Sequence, residues 1–118
     1  MAKKLILDTG VIKATDDVVS ISGHIFTAAN KTYVLQLKSP VAWTINELAA
    51  KTASGTCTAK LQIETTDVTG ITALAVSSTE DSDTATAANS VTAGNTVNLV
   101  ISSNSTALDL VFTVKGTL

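Results

Sequence analysis

The chain has 118 residues and a mass of 12.1 kDa, which is the size of one domain and leaves no room for two hydrophobic cores. Eight Lys, no Arg and ten acidic residues give a net charge of −2, so the basic surface that nucleic-acid binding requires is missing. Hydrophobic residues make up 45% of the chain, and its abundant Thr, Ser and Val are typical of a folded β-sheet protein.

In chain order, apolar segments separated by turn-forming residues predict three strands in the front part of the sequence, at residues 5–7, 18–21 and 33–37. A fourth strand is predicted over residues 41–52, because Trp43 and Ile45 alternate with polar residues there. Residues 46–51 also contain good helix formers, so a short helix is the alternative. The turn residues 53–55 favour the strand, because they would fold it back as a hairpin onto the next segment.

The most regular alternation begins at residue 56 and predicts three half-buried strands, at 56–64, 96–102 and 108–115. Residues 70–78 and 82–88 predict two more, whose inward faces stay ambiguous. The inward residues of the three regular strands are Cys57, Ala59, Leu61 and Ile63, then Val97, Leu99 and Ile101, then Leu108, Leu110, Phe112 and Val114. About eight such strands favour an antiparallel, jelly-roll-like β-sandwich, as one domain over residues 1–118 with a short N-terminal arm at about residues 1–8.

No segment has the features of a membrane span or an export signal. The longest uninterrupted apolar run is residues 73–76, whereas a spanning helix needs about 18 apolar residues. Only three apolar residues, Leu5, Ile6 and Leu7, follow the two lysines near the start, so the apolar core of a signal peptide is missing. Cys57 is the single cysteine, which excludes an internal disulfide.

Few residues could carry chemistry. His24 and Cys57 are the single His and Cys, and neither lies in a recognisable catalytic motif. Cys57 is predicted to be a buried thiol and His24 a surface side chain in a turn. The acidic run Glu80, Asp81 and Asp83 lacks the spacing of a calcium-binding loop. We therefore expect no enzyme activity, no metal and no cofactor.

Trp43 is the single tryptophan, and two roles fit it. A sugar-binding face usually presents at least two aromatic residues, which Tyr33 could complete. Core packing or a protein interface is the preferred interpretation of Trp43.

Four segments together carry a resemblance to known proteins. They are residues 70–79 (GITALAVSST), 84–89 (TATAAN), 91–97 (VTAGNTV) and 110–115 (LVFTVK). This pattern resembles small virion structural proteins and fibre ends of tailed bacteriophages, over residues 40–118. The resemblance implies a non-enzymatic virion protein with an antiparallel β-sandwich fold, often assembled as a trimer.

Within that class, a short chain without a stalk suits a capsid decoration or cement protein. Such a protein is made in the host cytoplasm, lies on the outer surface of the head and binds the major capsid protein, which stabilises the shell. Leu5, Ile6 and Leu7 are the candidate contact residues, together with Trp43, because a terminal strand can add to a neighbour's sheet edge. The same arm could instead be an edge strand of its own domain.

Two other functions stay open at this point. One is a tail-fibre or head-fibre receptor-binding module, whose loops 79–83 and 104–107 would contact a host-surface glycan. The other is a non-viral carbohydrate-binding or adhesin-like domain.

Overall fold

The computed structural model describes residues 18–118, so the predicted strand at 5–7 and the N-terminal arm lie outside the described residues. Within this range the chain is all-β, with one antiparallel sheet that curls into a half-barrel, and the predicted all-β, sandwich-like fold class is confirmed. The described residues form nine strands rather than about eight: β1 (Val18–Thr27), β2 (Lys31–Gln36), β3 (Trp43–Lys51), β4 (Ser54–Ile63), β5 (Thr66–Asp67), β6 (Leu74–Val76), β7 (Asp81–Thr84), β8 (Ser90–Val91) and β9 (Val97–Thr117).

The long strand β9 is the centre of the sheet. On one flank, β1 pairs with its C-terminal half and β2 with its N-terminal half. On the other flank, β3 and β4 pair with the same two halves. The short strands lie further out, because β5 and β6 pair with β4 while β7 and β8 pair with β3.

The predicted strand over residues 41–52 is confirmed as β3, but its hairpin with β4 is wrong. Lys51 pairs with Val111 and Ser54 pairs with Leu108, so both strands follow the same flank of β9. Gly55 makes this approach possible, because it has a φ of 76° and a Cβ there would overlap the backbone of Thr106. The turn residues therefore lie where the chain continues along β9 from β3 into β4.

The strands predicted at 96–102 and 108–115 are the two halves of β9, which is irregular between them. Ser103, Thr106 and Asp109 have positive φ angles. Asn104 bridges this region, because its side-chain amide donates to the Ala28 carbonyl at 2.8 Å and its side-chain oxygen accepts from the Ala107 N–H at 3.2 Å. The irregularity is therefore stabilised by one local hydrogen bond and one to the chain segment after β1.

This irregularity also changes which face of β9 is buried. The buried residues are odd-numbered from Val97 to Ala107 and even-numbered from Leu110 to Gly116. A single extra residue in a strand switches the alternation in this way. Leu108, predicted to point inward, is consequently 41% exposed, which corrects that prediction.

The other inward positions predicted for the three regular strands are buried. In residues 70–78, whose inward face the sequence left ambiguous, Ile71, Leu74 and Val76 are buried. The buried hydrophobic residues form one cluster that involves both halves of β9. Two aromatic rings of this cluster fill the space beside glycines, since Phe112 lies over Gly23 and Trp43 over Gly116. One core therefore supports the whole described chain.

Candidate interaction surface

The outer edge of β1 and β2 is a long sheet edge without a strand partner among residues 18–118. β1 has 10 residues and β2 has 6, and each pairs only with β9. The other outlying strands, β5 to β8, have at most 4 residues, and β7 carries Asp81 and Asp83. Short length and charge protect a sheet edge from adding strands, but β1 contains no Lys, Pro or acidic residue. We call this outer edge of β1 and β2 the free edge.

Exposed apolar side chains concentrate on the same flank of the molecule. Of the six exposed large hydrophobic residues in the described chain, four belong to β1, to β2 or to the residue after β2, whereas Leu108 and Val111 lie on the central strand β9, between β1 on one side and β3 and β4 on the other. Between residues 38 and 107 no large apolar side chain is exposed. The exposed large hydrophobic residues of the described chain are Val18, Phe26, Val34, Leu37, Leu108 and Val111, with Phe26 at 74% and Leu37 at 72%. The free edge is therefore both unpaired and apolar.

An open groove of about 610 Å³ crosses the outer face of the sheet next to the free edge. Small residues line it where three strands run side by side, since Thr113 of β9 pairs with Ser22 on one side and Ala49 on the other. The hydroxyls of Ser22 and Thr113 are 3.1 Å apart. Lys51, Lys115 and Glu80 also line the groove, so it combines hydroxyl groups with charges of both signs.

His24 lies at the side of this groove and makes two contacts. Its Nε2 is 3.0 Å from Oδ1 of Asp109, and its ring lies 4.4 Å from the ring of Phe26. In a catalytic triad, the histidine that a carboxylate holds also hydrogen bonds to a nucleophilic hydroxyl. Ser22, two residues away on the same strand face, hydrogen bonds to Thr113 instead. The observed contacts therefore orient the imidazole and the exposed phenyl ring.

Cys57 lies in the core, as predicted. Its residue is 4% exposed, and desolvation by burial raises the pKa of its thiol. A thiol is a poor nucleophile when it stays protonated, so Cys57 acts as a small hydrophobic residue.

The acidic residues do not converge on a cation site within the described chain. No group of three or more His, Cys, Asp or Glu side chains in residues 18–118 has the geometry to hold a metal ion. Asp67 is instead held by Gln62, whose amide donates to it at 2.8 Å, and by the Lys60 ammonium at 3.2 Å. The hydrogen bonds from Gln62 and then Lys60 lower the pKa of the Asp67 carboxyl.

The predicted contact residues have two different outcomes. Leu5, Ile6 and Leu7 lie outside the described residues. Trp43 is 3% exposed, and its indole N–H donates to the side-chain oxygen of Gln36 at 3.0 Å. Trp43 is therefore not accessible to a partner within the described fold, and core packing accounts for its position.

Sequence reasoning did not identify the free edge, although a signal was present. The prediction for 18–21 ended before Phe26. In β1 the residues Val19, Ile21 and Ile25 face inward, whereas Val18 and Phe26 have the opposite parity. Apolar residues on both parities of one strand indicate that both faces can be covered.

Comparisons with known proteins identify no family. No protein-family model and no curated protein matches the chain. One solved structure, from work titled "Bacillus endospore appendages form a novel family of disulfide-linked pili", matches at 19% identity over 89% of this chain and 92% of that chain, with a TM-score of 0.31. A similarity of this size carries no argument about function. Residues 18–118 also contain no helix that is long and apolar enough to cross a membrane.

Proposed function

We propose that this chain is a non-enzymatic virion structural protein of a tailed bacteriophage, a decoration or cement protein that binds the outer surface of the head. The observation that carries the proposal is the free edge together with the exposed apolar side chains of its flank. Apolar side chains left exposed on one flank favour contact with another protein. The phage assignment itself comes from the sequence resemblance of residues 40–118.

A decoration protein stabilises a shell through many repeated contacts, each of them modest. Val34 and Leu37 are 57% and 72% exposed on the free-edge flank, so both could be covered by a capsid subunit. Burial of one such side chain is worth about 1.5–3 kcal/mol. Repetition over a lattice raises the total avidity without any new type of contact. This role requires an accessible flank but no chemical step.

The test mixes purified protein with undecorated heads of the phage or prophage that encodes it, and counts bound copies after sedimentation. We expect saturation at a regular lattice stoichiometry. The double variant Val34→Lys, Leu37→Lys should lose at least about tenfold in affinity, because two apolar contacts become charged. The matched control Thr72→Lys, Ala73→Lys adds the same charge at exposed positions away from this flank and should bind normally. Heads that bind no protein, or bind the free-edge variant normally, would refute the proposal.

One observation supports a second candidate, a fibre-type module that binds a host-surface glycan. The groove beside the free edge offers hydroxyl and charged groups, and the ring of His24 in its lining packs at a tilt of 51° against the exposed ring of Phe26. Glu80, from the predicted contact loop 79–83, also lines the groove. This candidate is favoured over decoration if the purified protein binds a glycan array but does not bind phage heads. Phe26→Ala should then abolish the glycan binding.

A further inference from the structure

We propose that two copies of this chain associate edge to edge through β1, antiparallel and around a two-fold axis beside Ser22. The inference goes beyond decoration, because it concerns the protein alone. Its first support is the absence of protection along β1. Within residues 18–118, the backbone groups on the outer side of β1 have no strand partner, and β1 presents 10 consecutive residues in extended form. An extended chain satisfies such groups by adding a further strand.

The sequence of β1 is self-complementary in one register. When Ser22 lies opposite Ser22 of the second copy, each residue before it faces the residue equally far after it. Val18 then lies opposite Phe26, and Ser20 opposite His24. These residues share the outer face of the sheet, so the two most exposed apolar side chains of β1 cover each other.

The same register also matches the inner face. Val19 lies opposite Ile25, and Ile21 opposite Gly23, where the missing side chain leaves room. Val19, Ile21 and Ile25 pack against the core but are only half-buried in the single chain. A second β1 would complete their burial. Both faces of the strand therefore gain apolar contacts from one pairing.

Charge also permits this pairing. Residues 18–27 contain no Lys, Asp or Glu, and His24 faces a serine rather than a second histidine. Identical strands placed antiparallel bring equivalent central residues together, so a charge near the axis would repel its own copy. The positions of β1 nearest the axis are occupied by uncharged residues, including Ser20, Ser22 and Gly23. A partner of the same sequence is therefore electrostatically acceptable.

The first test is the mass of the full chain by light scattering across a concentration series. We expect the mass to rise from one chain toward two, from 12.1 kDa to twice that value. A mass that stays at one chain at every concentration would refute the proposal, as would a mass of three chains. If the protein stays monomeric and still binds phage heads, the dimer is refuted and the decoration proposal remains supported.

The second test locates the axis. Residues opposite each other in an antiparallel pair have Cα atoms about 4.5–5.5 Å apart, a distance that a disulfide spans. Ser22→Cys should therefore form a covalent dimer on oxidation. Ser82→Cys is the matched control, because Ser82 is an exposed serine in the edge strand β7. Native Cys57 is buried and should contribute no background. Equal cross-linking of both variants, or none at Ser22→Cys, would overturn the register.

The third test uses charge. Recovery of the dimer in a mixture of two variants would show that both variants are folded, so that a lost dimer is not a result of misfolding. Ser22→Lys and Ser22→Glu place like charges across the axis, so each protein alone should lose the dimer. An equimolar mixture should regain it as a heterodimer, because opposite charges then meet. The control variants Ser82→Lys and Ser82→Glu should each give the same mass by light scattering as the wild type. Loss of association in both single variants without recovery in the mixture would contradict the two-fold pairing.

Discussion

Replacement of Gly55 by Ala tests how β4 reaches β9. Gly55 and Gly94 both have positive φ, 76° and 95°, so alanine is strained at each. A left-handed alanine costs about 1–2 kcal/mol, of which about 0.4–1 kcal/mol is offset by the reduced freedom of the unfolded chain. Gly94 has open space around it, so its variant should lose about 1 kcal/mol. A Cβ on Gly55 would also overlap the backbone of Thr106 and Ala107.

Relief of that overlap requires β4 to move away from β9. The cross-strand contacts beside Gly55, the hydrogen bond from the Ala53 N–H to the Leu108 carbonyl at 3.0 Å and the ladder pairing of Thr56 with Ser105, would weaken together. At about 1 kcal/mol for each bond, the total loss for Gly55→Ala is about 3 kcal/mol. Stability of a domain this size is of the order of 10 kcal/mol, so the variant should still fold.

Urea unfolding measures both variants, and the buried single Trp43 supplies the fluorescence signal. With a slope of about 1.5 kcal/mol per molar urea, the midpoint should fall by about 2 M for Gly55→Ala and by less than about 1 M for Gly94→Ala. Equal shifts would show that backbone strain alone governs both sites. An unchanged midpoint for Gly55→Ala would refute the close approach of β4 to β9.

Three further predictions concern stability and reactivity. Asn104→Ala removes its two side-chain hydrogen bonds within the irregular part of β9 and should cost about 2 kcal/mol in urea unfolding; an unchanged midpoint would contradict this bridge. Because the pKa of Asp67 is lowered in the folded protein, the unfolded chain binds a proton at this carboxyl first as the pH falls, and the free energy of unfolding should decrease as the pH drops through and below about 4. Asp67→Asn should make this decrease smaller, and parallel curves of unfolding free energy against pH for variant and wild type would contradict the prediction. Cys57 should react with a thiol reagent slowly when native and fast in urea, and equal rates would contradict its burial.

Local patterning determined much of the strand content. The alternation of Cys57, Ala59, Leu61 and Ile63 identified β4 and its buried face, because a half-buried strand imposes a period of two. The same logic identified both halves of β9 but not their continuity. Leu108 was misplaced because the irregular backbone around Asp109 switches the parity, and no side-chain pattern announces that switch.

The candidate surface depended on information that the sequence does not carry locally. Trp43 was a reasonable contact candidate from its side chain alone, yet packing over Gly116 buried it. Phe26 has the opposite parity to Val19, Ile21 and Ile25 in β1, so the sequence indicates apolar residues on both faces but not which face stays exposed. Its exposure depends on which strand ends the sheet, and this is a property of the whole assembly of strands.

The sequence by itself determined the class of the protein: a β-rich chain without Arg, with a single cysteine and with strands in which apolar and polar residues alternate. Those properties follow from composition and from short-range periodicity. The tertiary structure decided that β3 and β4 both pair with β9 instead of with each other, and that β1 and β2 form an apolar edge without a strand partner among residues 18–118. Strand pairing joins residues far apart in the chain, so only the folded sheet shows which edges are covered and which can accept a partner.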